Sequence, residues 1–140
     1  MRWISFICLL LSISTTARCA DKSNVLFIFA DDQSFNTLHS LGNHEIKTPN
    51  LDRLVNQGTT FTHAYNMGAW GGAVCMASRM MLISGKYLWH AHADYPQTDK
   101  LYRQKNRMWP QLMEGAGYDT YFTGKWHIRS DATKSFKTAK

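Results

Sequence analysis

No stretch of this 140-residue chain carries five or more like charges, and no segment repeats. Coiled coils, solenoids and long basic arms are thereby excluded. Cysteine is scarce: Cys8, Cys19 and Cys75 are the only three, and two of them fall in the first twenty residues, so a disulfide scaffold is excluded as well. Charged residues make up only 19% of the chain against 44% hydrophobic and 13% aromatic. That balance is too apolar for a disordered tail, and the length suits one domain rather than two. The charge that is present leans positive, 16 Lys and Arg against 10 Asp and Glu for a net +6. Such a lean favours anionic partners, whether substrate anions, nucleic acid or acidic lipid, and does not choose among them.

One continuous apolar run stands out, at the start. Met1 and Arg2 form a short positive segment, residues 3–13 are almost wholly apolar, and residues 14–20 are mostly small, with cleavage points after Ala17, Cys19 or Ala20. This is the plan of a secretory signal peptide over residues 1–20. The apolar stretch is well short of the ~20 residues a spanning helix needs, so no stable membrane span is expected. Arg18 stands before Cys19, where a lipoprotein would want a small residue. The expectation is export, to a periplasmic or extracellular location, of a mature chain 21–140 whose single retained cysteine is Cys75. A lone cysteine in such a chain is a buried filler, an intermolecular link or a residue kept for its chemistry.

In the mature chain, N-V-L-F-I-F-A over residues 24–30 reads as a strand buried on both faces of a parallel sheet. Residues 48–58 predict a helix, with Thr48 as cap, Pro49 in the first turn, Gly58 as stop, and Leu51, Leu54 and Val55 facing inward. Residues 59–65, β-branched and aromatic, predict a second strand and hence a right-handed crossover unit. After a glycine-rich loop, residues 75–84 predict a helix closed by Gly85, with Cys75 at or near its N-terminus. Residues 88–106 show no clean period and read as a long surface connection. Residues 109–114 predict a short helix, 118–123 a third strand, and 130–140 a loose tail or the start of a further connection. The fold class is α/β.

Three polar clusters fall beyond the carboxyl ends of these strands, where ligands bind in open parallel sheets. Asp31 and Asp32 follow the first strand; adjacent carboxylates repel unless a cation or strong donors neutralise them, and oxygen-only ligation favours Ca²⁺ or Mg²⁺ over zinc. A turn or helix cap explains such a pair equally well. In Cys75-Met76-Ala77-Ser78-Arg79, helical spacing puts Arg79 one turn above Cys75 on the same face, so helix dipole and guanidinium together would stabilise an anion. The alternative is a buried cysteine in an amphipathic helix with a solvent-facing arginine. Gly124-Lys125-Trp126-His127 offers a point charge and a proton carrier two residues apart, or an ordinary surface loop. His90 and His92 lack further partners for zinc.

Four passages now carry a resemblance: N-V-L-F-I-F-A-D-D-Q, T-P-N-L-D-R-L with G-T-T-F-T-H-A-Y, C-M-A-S-R continuing to Ser84-Gly85, and G-Y-D-T-Y-F-T-G-K-W-H. In this order and spacing the chain resembles the N-terminal part of the type I, formylglycine-dependent sulfatases of the alkaline-phosphatase-like superfamily, over residues 24 to about 128. The resemblance implies a mainly parallel sheet with flanking helices, of which residues 21–140 would be an incomplete front part. It implies that Cys75 is oxidised to formylglycine by a maturase and that its hydrate attacks the sulfur of a sulfate ester. By position, Arg79 would hold the nucleophile, Asp31 and Asp32 would ligate a calcium ion, or Mg²⁺ in its place, that also meets residue 75, Lys125 would bind sulfate, and His127 would contact the nucleophile's hydroxyl. The positive charge is then unrelated to nucleic acid.

The chain departs from that pattern at Ala77, where proline is more usual, a form closer to substrates of the radical-type maturase. Met76 and Thr123 are also less usual, and family members run several times longer, with further metal ligands and another Lys and His in later segments. Three parallel strands with few helices leave a sheet edge and an apolar face uncovered, so the expectation is a fragment, weakly stable and inactive alone. Two further readings stand beside the sulfatase: a phosphonate or phosphodiester hydrolase using the same nucleophile, and a non-enzymatic truncated remnant or basic binding module. Choline sulfate, aryl sulfates and sulfated sugars all remain open as substrates. The leader reading predicts that chain secreted from an exporting host begins at Arg18, Ala20 or Asp21; an intact mass that still contains Met1 would refute it.

Overall fold

Proline and glycine punctuate the helices at the positions their backbone chemistry suits. The computed structural model describes residues 22–140, so the leader assigned to residues 1–20 lies outside the described residues. Helix α1, Pro49–Gln57, opens with proline where no N–H is needed and stops at Gly58. Thr48 sits at its N-cap, yet its hydroxyl donates to Asp52 Oδ1 (2.8 Å) and accepts the His39 N–H (2.9 Å) instead of closing the first turn. Asp52 Oδ1 also accepts the Ser40 N–H at 2.9 Å, which fastens α1 to the short 3₁₀ turn His39–Leu41. The inward stripe is narrower than the sequence suggests, for Leu51 and Val55 are half-buried and Leu54 is exposed.

Helix α2, Val74–Ser84, buries Ala77, Arg79, Met80 and Ile83. It ends at Gly85, whose φ of +66° is open to glycine and strained for other residues; there the Gly85 N–H donates to the Met81 carbonyl at 2.9 Å. Residues 88–106 are not the surface connection expected. They form α3, Leu88–Asp94, the 3₁₀ turn Tyr95–Gln97, α4, Thr98–Leu101, and a second 3₁₀ turn, Arg103–Lys105. This stretch buries Leu88, Ala91, Thr98 and Tyr102. Each piece is only one or two turns long, so its buried positions never accumulate into a period visible along the sequence. Helix α5, Trp109–Gly115, follows as predicted.

The core is Met80 and Ile83 of α2, Ala91 of α3, and Tyr102, Met108 and Ile128, with Trp70, Trp109 and Trp126 packed against it. Beside it the rings of Phe122, Trp126, Phe136 and Trp109 meet edge-on or stacked at centroid separations of 5.1 to 5.9 Å.

The strands are the larger correction. Strand β1 is Tyr121–Phe122, two residues of the 118–123 expected, and it pairs in parallel with β2, Thr138–Ala139. The Thr138 N–H donates to the Thr120 carbonyl and the Lys140 N–H to the Phe122 carbonyl, each at 3.1 Å. Residues 130–140 are therefore not a loose tail: Asp131 caps the 3₁₀ turn Ala132–Lys134, and Ser135 and Phe136 are buried. Residues 24–30 and 59–65, read as strands, pair with no strand among the described residues and stay exposed, so the right-handed crossover is not formed. Apolar β-branched sequence makes a segment ready to extend, but a ladder needs a neighbour's N–H and C=O groups. The α/β class holds in the coarse sense of mixed helix with a small parallel sheet. Among the described residues no helix is long and apolar enough to cross a membrane.

If the chain's end is packed as described, Phe136→Ala destabilises it by about 3 kcal/mol in urea unfolding, while Lys105→Ala on the surface stays within about 0.5 kcal/mol. Equal, near-zero effects would restore the loose tail.

Candidate functional site

Segment 22–30 pairs with no strand among the described residues, but it is held by its side chains. Phe27 meets Trp109 edge-on at 6.1 Å, and Phe29 lies under the Arg79 guanidinium at 5.3 Å. This delivers Asp31 to the side of α2. The chain then turns at Asp32, whose φ of +57° lies in the left-handed region that Asp adopts more readily than most residues.

Helix α2 supplies the next two groups. Cys75 stands in its first turn, half-buried, and no side chain caps that N-terminus, so its first N–H groups and the positive end of the dipole face the residues around Cys75. Arg79, one turn on, is 9% exposed. Its Nη2 lies 3.5 Å from Asp31 Oδ1, and its Nη1 donates to the Lys125 carbonyl. Arg79 Nε is buried without a hydrogen-bond partner among the described residues.

The third segment is the loop after β1. Lys125 Nζ donates to Asp31 Oδ2 at 2.7 Å. The next residue, Trp126, turns the other way: its indole N–H donates to the Ser130 carbonyl at 2.6 Å and its ring packs on Phe122 and Phe136. His127 follows with φ +57° and an exposed side chain.

Thus Asp31, Asp32, Cys75, Arg79 and Lys125, drawn from three separate segments, come together, and donor atoms of Asp31, Asp32 and Cys75 all lie within 4.8 Å of one another. His127 stands apart from these ion pairs and does not line the groove they border. That groove, about 1210 Å³ and open, carries Asp31, Arg79 and Lys125 on its wall together with apolar Val25, Phe27 and Trp109. The Lys125 hydrogen bond, above all, with the charges of Lys125 and Arg79, holds the Asp31 carboxyl below the usual range despite some desolvation. Conversely the Asp31 hydrogen bond, followed by that of Cys75, raises the Lys125 ammonium.

Chemically, the donor set suits a hard cation: two carboxylates offer oxygen, and the ammonium seated on Asp31 is itself a cation drawn to that place. The helix end, Arg79 and Lys125 suit an oxyanion. His92, set aside for zinc on sequence grounds, stacks on Trp70 at 5.0 Å. Two features were missed. Arg79 was expected beside Cys75, but not its bond to the Lys125 backbone. Asp99 accepts from Arg103, from Gln104 at 2.9 Å and from the Ser130 hydroxyl at 3.2 Å, tying α4 to the loop that carries Lys125. Only the Asp99 to Arg103 spacing of four could have signalled it.

A family model described as Sulfatase matches residues 23–139. N-acetylglucosamine-6-O-sulfatase of Bacteroides thetaiotaomicron is 30% identical over 111 residues, covering 79% of this chain and 19% of the relative. Arylsulfatase J of Mus musculus is 34% identical over 111 residues, 76% of this chain and 18% of the relative. N-acetylgalactosamine-6-sulfatase of Homo sapiens is 29% identical over 116 residues, 75% of this chain and 22% of the relative. The chain spans about one fifth of the length of these relatives. No solved structure matches it.

A carboxylate whose folded-state pKa is lowered contributes stability that is fully present above the unfolded pKa and is lost as pH falls through the folded one. For Asp31 that loss falls in the acid range. A carboxyl ¹³C titration therefore gives Asp31 a midpoint below that of an unstructured aspartate, and Lys125→Met raises it; an unshifted midpoint would dissolve the pair.

Proposed function

The chain belongs to the sulfatase family, and from that premise we propose that it carries the nucleophile and part of the cation site of a sulfuric ester hydrolase that cleaves an organic sulfate ester. The observation that carries this is the convergence of Asp31, Asp32 and Cys75 within 4.8 Å, with Arg79 and Lys125 on the same carboxylate.

In this reading Cys75 is the residue a maturase oxidises to formylglycine, whose hydrate supplies a hydroxyl to attack sulfur. The half-buried position at the open N-terminus of α2 suits it, since helix dipole and Arg79 favour a developing oxyanion there. Arg79, fixed by Asp31, the Lys125 carbonyl and the Phe29 ring, holds that oxygen in place. Lys125 donates to the sulfate oxygens from the groove wall. His127, in the same loop but exposed and outside the groove, would contact the nucleophile's hydroxyl only after its side chain swings toward Cys75.

Asp31 and Asp32 hold a divalent cation, Ca²⁺ or Mg²⁺, which when bound polarises the sulfuryl oxygens as a Lewis acid. Calcium takes about 6–8 oxygen ligands, so two carboxylates fill part of the shell; water, substrate and further protein oxygens fill the rest. The relatives' names divide between amino-sugar sulfates and aryl sulfates. What they share, the organic sulfate ester, is the substrate class proposed. Export to the periplasm or exterior goes with this reading through the leader of residues 1–20, as does dependence on a formylglycine-generating maturase.

The tryptic peptide from Leu54 to Arg79 tests the first step. In protein from its own host it is lighter by two hydrogens and a sulfur exchanged for one oxygen; an unmodified mass would remove Cys75 as the nucleophile precursor. In a matured, catalytically complete protein that carries this chain, Arg79→Ala lowers kcat on an aryl sulfate by about 10²-fold or more, and sulfate esters outpace the matching phosphate esters. Faster phosphate turnover would move the assignment to a phosphoester hydrolase.

A further inference from the structure

We propose that Lys125 is a seated stand-in for the divalent cation: its ammonium occupies the Asp31 oxygen a metal ion would take, so cation binding displaces it into the groove and turns it toward an oxyanion. This rests on the cation role given above to Asp31 and Asp32. Both Asp31 oxygens are engaged, Oδ2 by Lys125 at 2.7 Å and Oδ1 by Arg79 at 3.5 Å. An incoming cation therefore meets a positive side chain at either oxygen, and like-charge repulsion presses one of the two to leave.

The two are not equally free to leave. Arg79 is buried, its guanidinium also bonded to the Lys125 carbonyl and covered by the Phe29 ring. The Lys125 side chain is 42% exposed, and a lysine has a flexible four-carbon stem ending in a compact charge. A pair between two partly exposed groups is weak, so the exchange is cheap and reversible. Because Lys125 lines the groove, the displaced ammonium keeps to the wall where sulfate oxygens would sit. The carboxylate thus switches partners and the lysine changes roles, from neutralising Asp31 to binding substrate. Linkage makes the coupling reciprocal: an oxyanion that holds Lys125 in the groove strengthens cation binding.

The test is calorimetric titration of Ca²⁺ into the full chain and three variants. Lys125→Met removes the competitor and tightens the Ca²⁺ Kd by about fivefold. Lys125→Arg keeps a competing charge and stays within about twofold of the parent. Lys137→Met, which removes an equal charge paired with Asp119 instead, also stays within about twofold. An unchanged or weaker Kd in Lys125→Met, or equal tightening in Lys137→Met, overturns the exchange while leaving the cation site standing. Absence of any Ca²⁺ binding by the parent chain overturns both the exchange and the cation role. A measurement on the parent alone guards against a variant that misfolds. The rate at which acetic anhydride modifies Lys125, read by peptide mass, rises with Ca²⁺ while that of Lys137 does not; no rise at saturating Ca²⁺ also sinks the proposal.

Discussion

One buried guanidinium joins the three segments that make the site. Arg79 reaches Asp31 of the extended N-terminal segment, the carbonyl of Lys125 in the loop after β1, and the face of Phe29, all from the middle of α2. Without it, little besides Lys125 itself would bring residues 31 and 125 together across α2. A fully desolvated charge is costly unless paired and hydrogen-bonded, and here a carboxylate, a carbonyl oxygen and an aromatic face share that task while Nε goes unpartnered. Lysine at this position would keep the charge and lose the geometry, because one ammonium cannot span the planar fork's separate partners.

Around that hub, helix packing supplies rigidity and the aromatic cluster supplies direction. Met80 and Ile83 place α2 against α3, and Met108 anchors the start of α5 in the same core. On the other side, Phe122, Trp126 and Phe136 grip the loop that bears Lys125, so Trp126 points inward while its neighbours Lys125 and His127 are exposed. The Asp99 cluster fixes the far end of the same loop through Ser130. The clustered polar groups thus sit on short, well-tethered spans even though the sheet beneath them has only two described strands.

What could be read from the sequence follows the range of the forces involved. Helices α1, α2 and α5 were legible because proline, glycine and capping residues act within a few positions of themselves. Residues 24–30 and 59–65 were legible only as apolar and extensible, since whether such a segment becomes a strand is decided by a neighbour's backbone. The helical pieces between residues 88 and 106 escaped notice because Ala91, Thr98 and Tyr102 are buried by tertiary packing and not by a local repeat. The residues that converge were legible as candidates: Asp31, Asp32, Cys75 and Lys125 stand where a strand-like run ends or a helix begins and Arg79 one turn further along that helix, while His127, expected with them, stands apart. Their wiring was not: the bond from Arg79 to a carbonyl 46 positions away leaves no mark on composition or spacing.

The position of Trp126 puts an optical handle beside Lys125. An indole that donates to a carbonyl and is hemmed by phenylalanine rings emits from an apolar environment, whereas Trp89, 67% exposed, emits from water. Trp126 lies between Lys125 and His127 in the chain, so a backbone movement there perturbs the blue edge of the emission, which it shares with the core-packed Trp70 and Trp109. Replacing Trp70 and Trp109 would leave Trp126 as the native emitter beside Lys125.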